Sequence, residues 1–304
     1  MTIALDDALL EGWPLPDSTH GDKEERGRVL VIGGSPQIVG AVRLAGEAAL
    51  RAGAGKLVIA TVADACVPLA VAVPEARVIG WLATEAGGPS PDALDVVRDA
   101  ATRAAAIVIG PGMQDETATC ALAGAVLRLQ LKASVVLDAG AMRARCTADT
   151  LDERRRTSAP RVIVTPHAGE MAHLTGRDKA AIDADPVAIA LEAASAWNAV
   201  VVLKGAITHV ASPDGKTWRH EGGNAGLGVS GSGDVLSGLI TGLVARGASL
   251  EQAAVWAVRL HARAGERLAA RFGVLGYLAR EIALEVPAIM AALSAGPSRR
   301  IGFG

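Results

Sequence analysis

Short apolar runs of strand length alternate with longer stretches of helical period along most of this chain. Residues 28–32, 56–62, 77–82, 106–109, 134–137, 161–164 and 200–203 read as strands, several of them nearly unbroken Val, Ile and Leu. Helical spacing covers 41–52, 92–103, 117–131, 187–197, 234–246, 250–271 and 277–293. Residues 207–211 and 216–220 flank Ser212-Pro213-Asp214-Gly215, a hairpin signature. Residues 1–26 read as an N-terminal arm, 27–293 as one domain without a linker, and 294–304 as a C-terminal tail.

Strands that are apolar on both faces and alternate with helices predict an α/β fold with a mainly parallel central sheet. Such sheets bind ligands at the carboxyl ends of their strands. Here those ends are glycine or polar: Gly33, Gly110, Asp138, His167 and Lys204.

Residues 222–233 carry six glycines and no bulky charged side chain, and they lead into the helix predicted over 234–246. The open N–H groups of a helix N-terminus, reached through a glycine-rich loop, form an anion site. Gly231, Ser232 and Gly233 end that loop, and Asp234 lies in the first turn. Asp234 reads either as a helix cap or as a carboxylate beside a bound phosphate, usable as a base; the length of the loop favours the base. A P-loop is excluded, because Leu57 follows Gly55-Lys56 and Val210 precedes Gly215-Lys216-Thr217 where a glycine is required. Gly231-Ser232-Gly233 runs on to Leu236, not to the third glycine of a dinucleotide fingerprint.

Composition narrows the partners. Aromatic residues are 3% of the chain, so Ala, Val, Leu and Ile must fill the core that 50% hydrophobic residues imply. A net charge of −2 argues against a nucleic-acid surface. Cys66, Cys120 and Cys146 have neither zinc spacing nor a disulfide framework, which suggests a reducing, cytoplasmic setting. The acidic N-terminus does not read as a signal peptide, and no apolar run is long enough for a membrane span.

Three further groups carry candidate chemistry. Thr165-Pro166-His167-Ala168-Gly169-Glu170 follows a strand and opens a helix; Glu170 suits Mg²⁺ held through water, and His167 suits substrate. Lys204, followed by Gly205, reads as a strand-ending charge or a point charge for phosphate. Asp138 reads as a metal or substrate ligand or as a cap. Gly33-Gly34-Ser35 and Gly110-Pro111-Gly112 read as turns or as places where substrate lies against backbone. His20, His173, His209, His220 and His261 read as structural or solvated.

The segments GRVLVIGGS, IGPGM, VLDAGAM, TPHAGEMAHL, VVLKGAITHV and NAGLGVSGSGDVLSGLITGL run in order across residues 27–291. Together they resemble the bacterial ADP-dependent NAD(P)H-hydrate dehydratases, a family of ribokinase-like fold with three α/β/α layers. The resemblance implies an enzyme, a carbon-oxygen lyase that repairs nicotinamide cofactors hydrated on the ring. ADP, as co-substrate with Mg²⁺, phosphorylates the ring hydroxyl of the S epimer; phosphate is then eliminated, leaving NADH or NADPH, AMP and phosphate. It also implies hydrate contacts at Ala41, Gly112, His167 and Asp234, with Asp234 catalytic. Nucleotide contacts are implied at Lys204, Gly205, Ala206, Ile207, Thr208 and Gly233, with Asn224, Gly226, Gly231 and Ser232 beside them. A homotetramer is the assembly it suggests.

Three departures are present, the mildest being Ser230 where the family usually has Gly. Gly140 occupies the last place of the family's usual Asp-Ala-Asp, here Asp138-Ala139-Gly140. Only a short arm precedes the first predicted strand, so the epimerase domain of many bacterial relatives is expected to be absent. The runner-up function is a vitamin or thiazole kinase of the same fold, and a third is a non-catalytic nucleotide-binding protein.

Overall fold

The computed structural model describes residues 2–17, 21–129, 131–143, 148–152 and 161–294. Among these, ten strands form one sheet: β1 (Thr2–Ala4), β2 (Arg28–Ile32), β3 (Lys56–Val62), β4 (Ala76–Trp81), β5 (Ala106–Ile109), β6 (Ser134–Leu137), β7 (Val162–Val164), β8 (Val200–Leu203), β9 (Ile207–Ala211) and β10 (Thr217–Glu221). Their spatial order is β1-β10-β9-β8-β7-β6-β5-β2-β3-β4. All pairs are parallel except those made by β9, which forms the expected hairpin with β10.

Among the described residues, the helices include α1 (Asp7–Glu11), α2 (Gly40–Arg51), α3 (Cys66–Ala72), α4 (Ala93–Arg103), α5 (Glu116–Arg128), α6 (Ala168–Thr175), α7 (Lys179–Ala184), α8 (Pro186–Trp197), α9 (Ser232–Ala245), α10 (Leu250–Phe272) and α11 (Ala279–Ser294). They cover both faces of the sheet. Val29 and Val31 of β2 enter one core with α2, α9, α10 and α11; Leu30 and Ile32 enter the other with α4, α5, α6 and α8. This period-two division between two apolar environments is why the strands read as unbroken apolar runs. The result is the expected three-layer α/β/α architecture with a mainly parallel sheet.

Helix α9 is buried along its whole length after Asp234. Cβ atoms at Gly238 and Gly242 would stand 2.2 Å and 2.4 Å from the Ala45 and Ala49 carbonyl oxygens of α2. These two glycines let the backbones of α2 and α9 touch, and that contact fixes the N-terminus of α9 at the rim of the sheet.

The arm over 1–26 is more structured than its sequence suggests. β1 extends the sheet beyond β10, and Asp6 caps α1 by accepting from the Leu9 N–H at 2.9 Å. Trp13 stacks on Trp218 with centroids 6.0 Å apart, and its carbonyl accepts from the Trp256 indole at 2.8 Å. A three-residue strand and a five-residue helix are too short to show a period, so tertiary contacts decide them. Helix α3 is a second element without a sequence signal, because Val67 and Val71 on it face solvent. Cys66 is free, whereas Cys120 is disulfide-bonded, which departs from the expectation of unpaired cysteines. The tail expected over 294–304 lies, apart from Ser294 at the end of α11, outside the described residues, as do His20 and Cys146.

Candidate active site

The carboxyl ends of β6, β7 and β8 bring Asp138, His167 and Lys204 to one rim, with Gly33 and Gly110 at the ends of β2 and β5 beside them. Lys204 is the centre of charge. Its ammonium lies 3.2 Å from Asp138 Oδ1 and 3.6 Å from Glu170 Oε2. Burial works against its charge, but Asp138, Glu170 and Asp234 outweigh burial and hold its pKa above the ordinary value. Asp138 is buried and also accepts from the Thr165 hydroxyl at 2.7 Å. It is therefore an ion-pair partner. Its side chain does not cap the short helical turn that follows it.

His167 and Glu170 form a reciprocal cap at the start of α6. The imidazole Nδ1 accepts from the Gly169 and Glu170 N–H groups at 3.0 Å and 3.2 Å, while Glu170 Oε2 accepts from the His167 N–H at 2.8 Å. An Nδ1 that accepts leaves the proton on Nε2, so His167 presents a donor from a largely exposed ring. The structural reading of this segment, a polar helix start, is thus met, and the cap leaves the imidazole Nε2 facing outward.

The glycine loop follows β10 and ends at Gly231, whose φ of +89° turns the chain into α9. No side chain caps this helix. Among the described residues, the Gly233 and Asp234 N–H groups have no backbone acceptor, while the Ser232 and Val235 N–H groups are bonded to Val229 and Gly231. Two open donors at a helix N-terminus are what an anion needs. The Asp234 carboxylate is not engaged as a cap. Burial, reinforced by the charges of Asp138 and Glu170 and opposed by Lys204, pushes its pKa up to about 7. A carboxylate with that pKa accepts and returns protons near neutrality.

A cavity of about 730 Å³ opens beside these groups. Of the positions expected from the sequence, it is lined by His167, Lys204, Gly205, Ala206, Thr208, Asn224, Ser232 and Gly233. Ile207, at the start of β9, is partly exposed. Gly226 and Gly231 are backbone positions: a Cβ at 226 would meet Val274 and Tyr277, and one at 231 would meet Leu44. Ala41 and Gly112 lie against each other, a Cβ at 112 standing 3.0 Å from that of Ala41, at the end of α2 that carries Leu44. His220 and His261, read from sequence as structural or solvated, also line the cavity. Both sit inside regular elements where no loop or turn marks them. His220 Nδ1 donates to the Leu5 carbonyl at 3.1 Å, which ties the arm to the cavity wall.

Mg²⁺ fits this donor set only in a particular way. Asp138 and Glu170 already neutralise Lys204, and among the described residues no group of three His, Cys, Asp or Glu side chains converges for a metal. One outlying carboxylate suits an ion that keeps its waters and arrives on phosphate, not an all-protein cage.

Gly140 has a packing reason. A Cβ there would stand 2.5 Å from the Met113 carbonyl oxygen, so the backbone leaves no room for a second carboxylate.

The description NAD(P)H-hydrate dehydratase belongs to the family profile that matches residues 29–288. The chain is 49% identical to the ADP-dependent (S)-NAD(P)H-hydrate dehydratase of Xanthomonas campestris over 95% of this chain and 96% of that protein. It is 39% identical to the bifunctional NAD(P)H-hydrate repair enzyme Nnr of Moorella thermoacetica over 90% of this chain, which spans 53% of that longer protein. A Bacillus subtilis ADP/ATP-dependent NAD(P)H-hydrate dehydratase, co-crystallised with ATP and Mg²⁺, superposes with a TM-score of 0.79 at 28% identity, covering 96% of this chain and 99% of that one. These matches favour the dehydratase over the vitamin or thiazole kinase. The chain is an enzyme of ribokinase-like fold and belongs to the NAD(P)H-hydrate dehydratase family.

Proposed function

We propose that this enzyme uses ADP to dehydrate the S epimer of hydrated NADH or NADPH, releasing the reduced cofactor, AMP and phosphate. The observation that carries the reading is Asp234: a carboxylate with a pKa of about 7, in the first turn of a helix whose N–H groups are open to an anion. Asp234 takes the proton of the ring hydroxyl as its oxygen attacks the terminal phosphorus of ADP, and AMP leaves. The carbon–oxygen bond then breaks with its electron pair on the departing phosphate, and loss of a ring proton restores the double bond. Gly233, with Ser232 beside it, cradles the phosphates, and Lys204 supplies a fixed positive charge next to them. Lys204, Gly205, Ala206, Ile207 and Thr208, with Asn224, Gly226 and Gly231, form the nucleotide side. Ala41, Gly112 and His167 form the hydrate side, His167 as a donor through Nε2. Glu170 would hold Mg²⁺ through water, and the ion arriving with ADP would neutralise phosphate charge.

The working unit proposed is one domain over 27–293 braced by the arm, in the cytoplasm, where the cofactors are, and assembled as a homotetramer. Exposed Val67 and Val71 of α3, beside the edge strand β4, support self-association. Among the described residues, no helix is long and apolar enough to cross a membrane.

The test is an epimer mixture of hydrated NADH given ADP and Mg²⁺ and followed by chromatography. The S form disappears first and reduced-nicotinamide absorbance returns partway; the R form follows slowly, or quickly once an epimerase is added. Equal loss of both epimers from the start contradicts the stereochemical part. Recovery without nucleotide contradicts the ADP requirement.

A further inference from the structure

Ser232 is the first residue of α9 and lines the cavity beside Gly233. Its side chain faces the imidazole of His261, which projects from the middle of α10. His261 Nε2 lies 2.9 Å from Ser232 Oγ and 3.1 Å from the Ser232 carbonyl oxygen. A carbonyl oxygen only accepts, so Nε2 carries the proton and is shared between the two oxygens. The hydroxyl then accepts from His261, and its own proton remains free for a third group. With the Ser232 N–H already donated to Val229 and the Gly233 and Asp234 N–H groups open, that proton joins the same anion cradle.

We propose that His261 is a positioning residue that fixes the Ser232 hydroxyl as a donor to the nucleotide phosphate. The role rests on the ADP reading and deepens it. Burial, together with the charge of Lys204 and against the pull of the Ser232 carbonyl, brings the pKa of His261 down to about 4. The ring therefore stays neutral, with one proton and one possible direction, throughout the working range. The plainer role is a staple between α9 and α10. A staple affects folding and both substrates alike; an orienting partner affects one ligand through one hydroxyl.

Wild type, Ser232→Ala, His261→Leu, His261→Gln and the double variant Ser232→Ala/His261→Leu are titrated with ADP by calorimetry, and KM is measured for hydrate and for ADP. Loss of a hydrogen bond to a charged phosphate weakens ADP by about 10-fold or more in Ser232→Ala and in His261→Leu. KM for hydrate stays within error. The double variant binds ADP no more weakly than the weaker single variant, because both changes remove the same donor. His261→Gln, whose amide keeps an N–H near the position of Nε2, recovers most of the affinity. Unchanged ADP affinity in Ser232→Ala, losses that multiply in the double variant, or equal rises in both KM values overturn the role. If His261→Leu does not fold, Ser232→Ala and His261→Gln decide between the same outcomes. A wild-type chain that binds no ADP overturns the ADP reading and this role together; ADP-binding wild type with unaffected variants overturns this role alone.

Discussion

Two sets of glycines meet at the rim of the sheet, and they are there for different reasons. At the ends of β2 and β5, the glycines pack on backbone. A Cβ at Gly33 would stand 2.2 Å from the Pro111 carbonyl oxygen, and one at Gly110 would stand 1.8 Å from that of Asp138. The Gly34 N–H also donates to the Pro111 carbonyl at 2.7 Å, so these turns are bonded to each other. At the start of α9, Gly231 still packs on the Leu44 side chain, but Gly233 differs. A Cβ at Gly233 would have only the Lys204 ammonium as a neighbour, at 3.6 Å. The first set closes the fold; at Gly233 packing makes no comparable demand for a glycine. A glycine-rich strand end is thus no evidence of substrate contact until what its missing side chain would strike is known.

The comparison breaks most visibly at Gly110. Gly110→Ala places a methyl group inside the Asp138 carbonyl at a φ of +119°, and little folded protein is expected in a solubility and circular-dichroism comparison. Gly233→Ala is the matched change: melting temperature stays close to wild type, while ADP affinity falls. A Gly233→Ala protein that unfolds as Gly110→Ala does would erase the distinction.

Asp234→Asn comes next. Turnover drops by about 10²-fold or more, because the amide cannot accept the proton, while ADP affinity changes little. Its stability has a definite sign. The folded pKa of about 7 lies above the ordinary 3.8, so the group favours the fold while protonated, fully below 3.8, and that contribution is lost as pH rises through 7. Asp234→Asn therefore melts above wild type at pH 8, and the gain vanishes toward pH 4. A melting series across pH checks it. In wild type the same ionisation places the acid limb of kcat/KM near pH 7, with activity rising as pH rises.

A smaller effect is expected at Lys204. Lys204→Ala leaves Asp138 and Glu170 without their common cation, and it weakens ADP more than hydrate. Equal weakening of both ligands by calorimetry would reduce Lys204 to a structural ion pair.

Much of this was legible in the residues. Strands such as β2, β3, β5, β6 and β8 were readable because both their faces are buried, and α9 because its apolar stripe follows a glycine run. The rim positions of Asp138, His167 and Lys204 follow from strand ends in a parallel sheet. What was not legible depends on contacts across the fold. Asp138 reads along the chain as a metal or substrate ligand or as a cap, and its ion pair with Lys204 is visible only in the fold. His261 lies deep inside a 23-residue helix, where nothing along the chain marks it as facing Ser232. β1 is held by Arg219, α1 by Arg259, and Trp13 after it by Trp218 and Trp256, all more than 200 positions away in sequence.

The central claim is that one site transfers phosphate to the hydrate and then expels it. Phosphorus NMR of the complete reaction, run beside the reduced-nicotinamide absorbance, tests this most directly. The account predicts AMP and inorganic phosphate appearing in equal amounts with each reduced cofactor, and both signals nearly lost in Asp234→Asn. A phosphorylated hydrate that persists as a stable ester, or reduced cofactor formed while ADP remains intact, would contradict it.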